Sequence, residues 1–298
     1  MACVGCHSNI TSASYSYLYA SQTIGFITLF PHLKINFCEH CELGQVEHSS
    51  IAEEQLNEYY AYTYRDKAKL GADDGSEYRK KFLIAKAEGQ AKLINKYVVS
   101  KKIKKIFEFG AGYGYNLAAV GKTFPSAELY TNELDQTIDK LPGVRKYQST
   151  LKYDLIVMSH VLEHLIFPEK VLQKMIVNLQ KDGILFIEVP NEQATVKNAS
   201  SFVEPHITFF NLNSLKSLIE KNFNEELEIL YIGTAGLCRV GDSKDTLVEG
   251  LNASLFSRMK RYYRWLMNGM NHPIHIDFSN DTTKDKWNNV RLICKKKG

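Results

Sequence analysis

The sequence has no apolar run long enough to cross a membrane and no N-terminal export signal. None of its uninterrupted apolar stretches approaches the roughly 18 residues that a membrane helix requires. Its first residues, MACVGCHSNI, offer neither the positively charged segment nor the apolar segment of a secretory leader. The sequence therefore predicts a cytoplasmic protein with no membrane partner.

The sequence also lacks a strong excess of charge and any low-complexity tract. Its formal net charge is only +4, which is too small for a dedicated nucleic-acid binder, so we expect no nucleic-acid partner. With 7 prolines, 18 glycines and 44% hydrophobic residues, the chain has the composition of a folded globular protein. Its 298 residues allow one large domain, or one with a small accessory module, and leave the oligomeric state open.

Cysteine is scarce except near the N-terminus. Two C-x-x-C pairs account for four of the six cysteines: Cys3, Cys6, Cys38 and Cys41. Such pairs can supply four thiolates to a tetrahedral Zn²⁺, and a closed coordination sphere indicates a structural site. Reduced cysteines, redox exchange and another metal are the alternatives. The sequence CVGCH also matches the haem-attachment pattern, which would require export. The isolated Cys238 and Cys294 are predicted to be small buried apolar residues.

The remainder of the chain divides by its hydrophobic periodicity. Residues 51–100 show helical spacing, and from 103 short apolar runs alternate with helical segments. This alternation predicts an α/β fold with a doubly wound, Rossmann-like, mostly parallel sheet. We divide the chain into a zinc-binding module (1–50), a helical linker and lid (51–100), and a core (101–298) with an insertion at about 236–287. The insertion carries a predicted helix, SLFSRMKRYYRWLM.

A glycine-rich loop, FEFGAGYGYNL, follows the first strand of the core and opens a helix. Its glycines, Gly110, Gly112 and Gly114, permit a tight turn and a close approach of the backbone to a ligand. The dinucleotide fingerprint needs another glycine where Tyr115 stands, which disfavours nicotinamide binding. Glu133 follows the second strand, where a carboxylate can accept hydrogen bonds from a ribose diol.

With its loop EFGAGYG, Glu133, YDLIVMSHVLEHL and GILFIEVPN, the sequence resembles the class I S-adenosylmethionine-dependent methyltransferases over about 105–232 and the final strand. The resemblance implies a seven-stranded sheet and S-adenosyl-L-methionine as cofactor. It implies that the following residues contact the cofactor: Glu108, Gly110, Ala111, Gly112, Tyr113, Gly114, Asn116, Glu133, Leu134, Ser159 and His160. Contacts to the adenine would fall to Gln148 or Ser149.

The cysteine pairs, with FCEHCELGQVEHSSIAEEQLNEYYAYTYR, resemble the sugar-nucleotide C-methyltransferases, which carry a four-cysteine zinc module. That group has a further C-terminal domain, and the present sequence ends shortly after the last core strand. The resemblance implies a small-molecule acceptor, a sugar or nucleotide-linked sugar of a biosynthetic pathway. The alternatives are a non-catalytic scaffold whose zinc module binds a protein partner, and a nucleic-acid methyltransferase guided by the module.

The catalytic candidates are His206, His160 and Tyr60. His206 follows the fifth strand at the ligand-binding edge of the sheet, and histidine is the natural base near neutral pH. The resemblance implies a Glu-His pair for proton removal there, but Pro205 replaces the acid. A loop histidine bonded to backbone is the alternative. Tyr60 belongs to a tyrosine-rich stretch that either covers the acceptor or packs between module and core.

The motif His160-Val-Leu-Glu163-His164 matches H-x-x-E-H, the inverted zinc-protease pattern, which would place both histidines and the acid on one helical face. Because the motif directly follows a buried strand, we favour a position at the edge of the cofactor pocket or a packing role over a peptidase. Asn191, after EVP, and the basic stretch 258–264 are further candidates for acceptor binding.

Overall fold

The structure of the protein is a computed structural model. It describes residues 2–10, 14–16, 33–47, 51–63, 77–98, 103–133, 142–192, 206–236, 238–239, 276–277, 281–284 and 287–298. No helix in these ranges combines the length and the apolarity that a membrane span requires.

The described residues form strands and helices that we number in chain order. The strands are β1 (Ser14–Ser16), β2 (Lys34–Phe37), β3 (Gly44–Val46), β4 (Lys105–Phe109), β5 (Glu128–Thr131), β6 (Val144–Lys146), β7 (Tyr153–Ser159), β8 (Leu179–Pro190), β9 (Thr208–Phe209), β10 (Leu227–Ala235), β11 (Cys238–Arg239), β12 (Ile276–Asp277) and β13 (Asn289–Lys296). The helices are α1 (Glu53–Glu58), α2 (Glu77–Val98), α3 (Tyr115–Thr123), α4 (Pro168–Asn178) and α5 (Leu212–Asn222). A π-helical turn (Tyr59–Thr63) follows α1, and a 3₁₀ turn (Leu162–His164) follows β7.

The central sheet has seven strands in the order β10-β13-β8-β7-β4-β5-β6. Its core pairs, β4 with β5, β4 with β7, β5 with β6 and β7 with β8, are parallel, while β13 is antiparallel to both neighbours. The predicted Rossmann-like, mostly parallel seven-stranded sheet is confirmed. Because the chain runs outward from β4 in one direction and then restarts at β7 in the other, the sheet has a topological switch point between β4 and β7.

The strands are apolar on both faces because helices cover both faces. Along β7, Leu155 and Val157 pack with α2 and α3, whereas Ile156 and Met158 pack with α4 and α5. This alternation follows from the period of two along a strand, and burial on both faces is typical of parallel sheets. The helices on the two faces thus hold β4 and β7 in place, and with them the loops that follow these strands.

The N-terminal residues form a small second sheet in the order β1-β2-β3-β9, whose last strand comes from the core. Gly44 and Gln45 pair with Phe209 and Thr208, and the Val46 amide donates to the Ile207 carbonyl at 3.0 Å. Gly44 is required here because a Cβ atom would approach Phe37 Cε1 to 2.6 Å. The cysteine-bearing segment is therefore joined directly to the chain that follows His206, a connection that the sequence did not predict.

The structure differs from the sequence-based prediction in a few elements. Strand β6 was not predicted, because its short run VRK is polar and only one of its residues is even half-buried. The predicted strand GFITLF and the helix at 254–267 lie outside the described residues. Of the two isolated cysteines, Cys294 is fully buried in the sheet as predicted, and the side chain of Cys238 lies outside the description.

Candidate active site

The candidate site lies at the switch point, where the carboxyl ends of β4 and β7 meet. Phe109 and Met158 are paired in the parallel register, so the loops that start at Gly110 after β4 and at His160 after β7 emerge side by side. Ligands of open α/β sheets bind in the crevice at this position. The structure thus brings together the glycine loop and the start of the HVLEH motif.

All three glycines of the loop have left-handed backbones, with φ values of 64° at Gly110, 57° at Gly112 and 74° at Gly114. These conformations are strained for any residue with a side chain. They direct two amide groups toward the end of β5: Gly110 N–H donates to Asn132 Oδ1 at 3.1 Å, and Gly112 N–H donates to Glu133 Oε2 at 2.7 Å. The loop and the predicted ribose acid are therefore in contact.

Glu108 lies beneath the loop on β4 and is 1% exposed. Its Oε1 accepts a hydrogen bond from Asn116 Nδ2 at 3.1 Å, whereas its buried Oε2 has no hydrogen-bond partner. Burial raises the pKa of Glu108 to about 8, although the bond from Asn116 opposes this shift. A buried carboxyl oxygen without a partner is a polar group that a bound ligand can satisfy.

The end of β7 carries a network of charged side chains around His160. Its backbone is left-handed (φ 55°), which is uncommon for a residue other than glycine and concentrates at functional sites. His160 Nδ1 lies 3.1 Å from Glu163 Oε1, its Nε2 lies 3.2 Å from Glu188 Oε1, and Lys86 Nζ contacts that same Nε2. Burial and Lys86 lower the pKa of His160, but the two carboxylates more than offset them and raise it.

Glu188 anchors this network inside the sheet. It is fully buried and forms ion pairs with Arg291 Nε at 2.6 Å and Lys86 Nζ at 3.0 Å. Burial raises the pKa of Glu188, but these cations outweigh burial and hold it well below its ordinary value. Arg291, also fully buried, pairs in addition with Asp281 at 3.0 Å. Removing one partner of such a buried pair typically costs about 3–5 kcal/mol, so the network holds the loop after β7 firmly in place.

A second cluster of side chains, built around two histidines, adjoins this loop. Tyr60 Oη is 2.8 Å from His164 Nδ1, and the rings of His164 and His206 meet edge to face with centroids 4.9 Å apart. His206 Nδ1 lies 2.6 Å from Glu192 Oε2. The predicted catalytic residues Tyr60 and His206 are thus linked through His164, and Glu192 supplies His206 with the carboxylate that Pro205 cannot.

The buried side chain of Glu163 also belongs to this cluster. It is 1% exposed; Oε1 is paired with His160 Nδ1 at 3.1 Å, whereas the buried Oε2 has no hydrogen-bond partner. Burial raises the pKa of Glu163, but His160, His164 and His206 together outweigh burial and lower it. In the H-x-x-E-H motif the acid and His164 belong to a 3₁₀ turn, whereas His160 precedes that turn and faces Glu188. The single helical face of the inverted protease pattern is therefore absent from this motif.

The four N-terminal cysteines converge on one point, with all four sulfur atoms within 4.8 Å of one another. Cys3 Sγ lies 3.5 Å from Cys41 Sγ, and Cys6 Sγ lies 3.5 Å from Cys38 Sγ. These separations exclude disulfide bonds, and they approach the roughly 3.8 Å between sulfurs in a tetrahedron with Zn–S bonds of about 2.3 Å. The cysteine side chains have the arrangement that a zinc ion requires.

Each of the two cysteine pairs lies in a backbone turn of the same kind. The residue after each pair, His7 or Glu42, has a left-handed φ of 63° or 66°, and its amide donates to the first cysteine's carbonyl at 2.9 Å. In addition, Gly5 N–H donates to Cys3 Sγ at 3.3 Å, as suits a thiolate. Two separate segments thus present their cysteines from equivalent tight turns, and the four side chains form one cluster.

The remaining predicted residues have the following positions. Ser159 accepts a hydrogen bond from the buried Gln90 at 3.0 Å, and Tyr113 is exposed at the rim of the loop. Asn191 donates to the Trp287 carbonyl at 3.0 Å, so it is engaged in the fold. Leu134 and the basic stretch 258–264 lie outside the described residues. Lys86 and Glu192 were not predicted as site residues, because no local motif marks them.

Comparison with known proteins gives the class. Residues 77–224 match the family model described as a methyltransferase domain. The structure of the plantazolicin methyltransferase BpumL with a triazolic desmethylPZN analog and SAH is 14% identical, covering 82% of this chain and 98% of that chain with a TM-score of 0.51. The structure of the N-methyltransferase NodS from Bradyrhizobium japonicum WM9 with S-adenosyl-L-homocysteine is 13% identical. The match covers 81% of this chain and 97% of that chain, with a TM-score of 0.39. No curated protein matches the chain.

The fold, the glycine loop and the family match together define an enzyme class. The protein is an S-adenosylmethionine-dependent methyltransferase, with its methyltransferase domain at residues 77–224.

Proposed function

We propose that the protein transfers the methyl group of S-adenosyl-L-methionine to a small-molecule acceptor, a sugar or nucleotide-linked sugar. The observation that carries this proposal is the contact between Gly112 N–H and Glu133 Oε2 at the switch point, beside the histidine cluster. It combines a nucleoside-binding loop and a group able to take a proton at one sheet edge.

The glycine loop and its surroundings fit the cofactor. Glu133 is held by a loop amide at the end of β5, where a carboxylate can accept hydrogen bonds from ribose hydroxyls. Below the loop, the protonated Glu108 presents an unpartnered oxygen without adding a negative charge. The further cofactor contacts that we propose are those of the loop and of the end of β7: Gly110, Ala111, Tyr113, Gly114, Asn116, Leu134, Ser159 and His160.

The cofactor, when bound, supplies an electrophilic methyl group on a sulfonium. The protein must then align the acceptor, exclude water and remove the acceptor's proton. We assign proton removal to His206, because Glu192 holds its Nδ1 and so orients the ring, as the carboxylate does in a histidine–carboxylate pair. Tyr60 positions His164 beside this imidazole, and His160 fixes the loop through Glu188.

We further propose that the four cysteines hold a structural Zn²⁺. Their sulfur atoms converge, and Cys3, Cys38 and Cys41 are buried within the same apolar cluster as α4 and α5. Because β3 pairs with β9, an ordered module also fixes Ile207, whose amide donates to the Glu163 carbonyl at 2.8 Å. The zinc site thereby supports the position of His206 without touching the reaction.

Methyl transfer is tested by mass spectrometry of sugar nucleotides incubated with the enzyme and S-adenosylmethionine. We expect a methylated product with the wild-type protein and a strong loss with His206→Gln. A His40→Gln variant, which changes an exposed histidine of the cysteine turn, is the matched control and should retain turnover. If the sugar nucleotides stay unmodified while peptides or amines are methylated, the proposed acceptor class is wrong.

A further inference from the structure

A second group of potential metal ligands lies apart from the cysteines. One ligand atom from each of Glu163, His164 and His206 lies within 4.8 Å of the others. The group joins two distant segments, the 3₁₀ turn after β7 and the residue that precedes β9. The hydrogen bond from Ile207 N to Glu163 O, 2.8 Å long, fastens these segments together. The three side chains are therefore held close to one another by the backbone.

The carboxylate of Glu163 points independently to a bound cation. It is 1% exposed; Oε1 is paired with His160 Nδ1 at 3.1 Å, and the buried Oε2 has no hydrogen-bond partner. A buried ionised carboxylate is costly unless it is hydrogen-bonded, paired or coordinated to a metal. A cation among Glu163, His164 and His206 would satisfy the oxygen that faces away from His160.

The second nitrogen of each histidine is also held as in known metal sites. His164 Nδ1 is 2.8 Å from Tyr60 Oη, and His206 Nδ1 is 2.6 Å from Glu192 Oε2. Histidines that bind metals generally engage their other ring nitrogen with a carboxylate or another polar group, which fixes the ring and raises its basicity. The arrangement assigns Nε2 of each ring as the coordinating atom.

We propose that Glu163, His164 and His206 bind a divalent transition-metal ion, such as Zn²⁺, Mn²⁺ or Co²⁺, on the acceptor side of the site. Two imidazoles and one carboxylate suit these ions better than Mg²⁺, which prefers oxygen ligands. Three protein ligands leave a coordination position open, as in catalytic rather than structural sites. The H-x-x-E-H motif thus contributes Glu163 and His164, and His206 takes the place expected of His160.

The role of the bound ion in catalysis rests on the proposed function. An acceptor oxygen that binds the ion holds its proton less tightly, and the proton passes to solvent. In the metal-loaded enzyme His206 is then a ligand, whereas in the metal-free enzyme it is the base. The two states predict different responses to a chelator, because only the first requires the ion for turnover.

The test is a Co²⁺ titration of the full chain after one equivalent of zinc, which the four thiolates bind in preference to the imidazole and carboxylate ligands, has filled the cysteine site. Visible absorption and calorimetry follow the titration. We expect one cobalt ion per chain beyond the zinc, with visible bands but without the thiolate charge-transfer band that cobalt on cysteines would give. Glu163→Gln and His206→Gln should weaken this binding roughly tenfold or more. Glu169→Gln is the matched control, since Glu169 also carries a buried, unpartnered carboxylate oxygen but lies outside the cluster.

Equal cobalt affinity in wild type and Glu163→Gln, or no cobalt beyond the cysteine site, would overturn the inference. Binding of S-adenosylmethionine, measured on the same samples, shows that each variant is folded. If metal-stripped protein still methylates an acceptor at the full rate, the proposed function stands and the catalytic metal is rejected. If cobalt binds as expected but no acceptor is methylated, the metal site stands and the proposed function fails.

Discussion

The two sides of the candidate site are built in different ways. The cofactor side consists of one continuous loop and the acid at the end of the next strand, which are joined by the hydrogen bond from Gly112 N–H to Glu133. The acceptor side draws Tyr60, His164, Glu192 and His206 from separate segments. A local motif suffices for the first side, whereas the second depends on the tertiary fold. Changes on the two sides should therefore have separable effects on cofactor binding and on turnover.

The largest effect is expected for a substitution of His206, which should change turnover without changing cofactor affinity. His206→Gln removes the proton acceptor or metal ligand, and we expect turnover to fall roughly 10²- to 10⁴-fold, the range typical of general acid–base groups. The affinity for S-adenosylmethionine should change little, because His206 lies outside the glycine loop. Single-turnover kinetics and calorimetry measure the two quantities. A loss of cofactor affinity equal to the loss of turnover would contradict the separation.

A change in the cysteine cluster should affect the acceptor side through the fold. Cys38→Ser removes one of four zinc ligands, and we expect a loss of about 3 kcal/mol or more in the free energy of unfolding. The cluster packs with α5 and the central sheet, so unfolding is expected to be global. Denaturant titration and zinc analysis measure the effect.

The control for this variant is Cys294→Ser, at another fully buried cysteine that lies in β13 away from the cluster. It should lower stability by only about 1–3 kcal/mol, the cost of burying an unpaired hydroxyl, and leave the zinc content unchanged. Equal zinc content in Cys38→Ser and wild type would refute the four-cysteine site.

On the cofactor side, Glu108 should make stability depend on pH. Its pKa is about 8 in the folded protein, above its ordinary value of 4.5, so between these values the folded state holds a proton that the unfolded chain has lost. Stability should therefore fall as pH rises through this window, by up to about 1.4 kcal/mol per pH unit. Thermal melts of wild type and Glu108→Gln compare the slopes. The stability of Glu108→Gln should lack this pH dependence. If stability falls with pH equally steeply in the variant and in wild type, burial does not raise the pKa of Glu108.

The smallest expected effect is that of Tyr60→Phe, which removes the hydroxyl that contacts His164 Nδ1. One such hydrogen bond contributes about 1 kcal/mol, so turnover should fall roughly fivefold without a change in cofactor affinity. Tyr62→Phe is the matched control, because Tyr62 is 73% exposed on the same π-helical turn. A similar loss in both variants would show that the turn, rather than the hydroxyl, matters.

The cofactor side could be predicted from sequence because its determinants are adjacent in the chain. Glycines after a β-strand, followed by a helix and an acid at the next strand end, define a loop with little freedom. The two cysteine turns could be predicted for a similar reason, since the residues of each C-x-x-C pair are adjacent in the chain. The alternation of short apolar runs with helical segments likewise predicted the parallel core of the sheet.

The acceptor side could be predicted only in part. His206 and Tyr60 were identified as candidates, but Glu192 was not, because its contact with His206 depends on how the chain returns to the sheet edge. The H-x-x-E-H motif indicated a helical face, whereas the left-handed backbone at His160 separates that histidine from His164. Neither the backbone turn nor the pairing of β3 with β9 leaves a periodic signal in the sequence.

The proposed function depends above all on S-adenosylmethionine binding to the loop at the switch point through Glu133. The most direct test is isothermal calorimetry of S-adenosylmethionine with the wild-type protein, Glu133→Ala and His206→Gln. We expect stoichiometric binding to wild type, affinity reduced roughly tenfold or more in Glu133→Ala through loss of charge-assisted hydrogen bonds, and near wild-type affinity in His206→Gln. If the wild-type protein does not bind, or if wild type and Glu133→Ala bind equally well, the cofactor does not bind through Glu133.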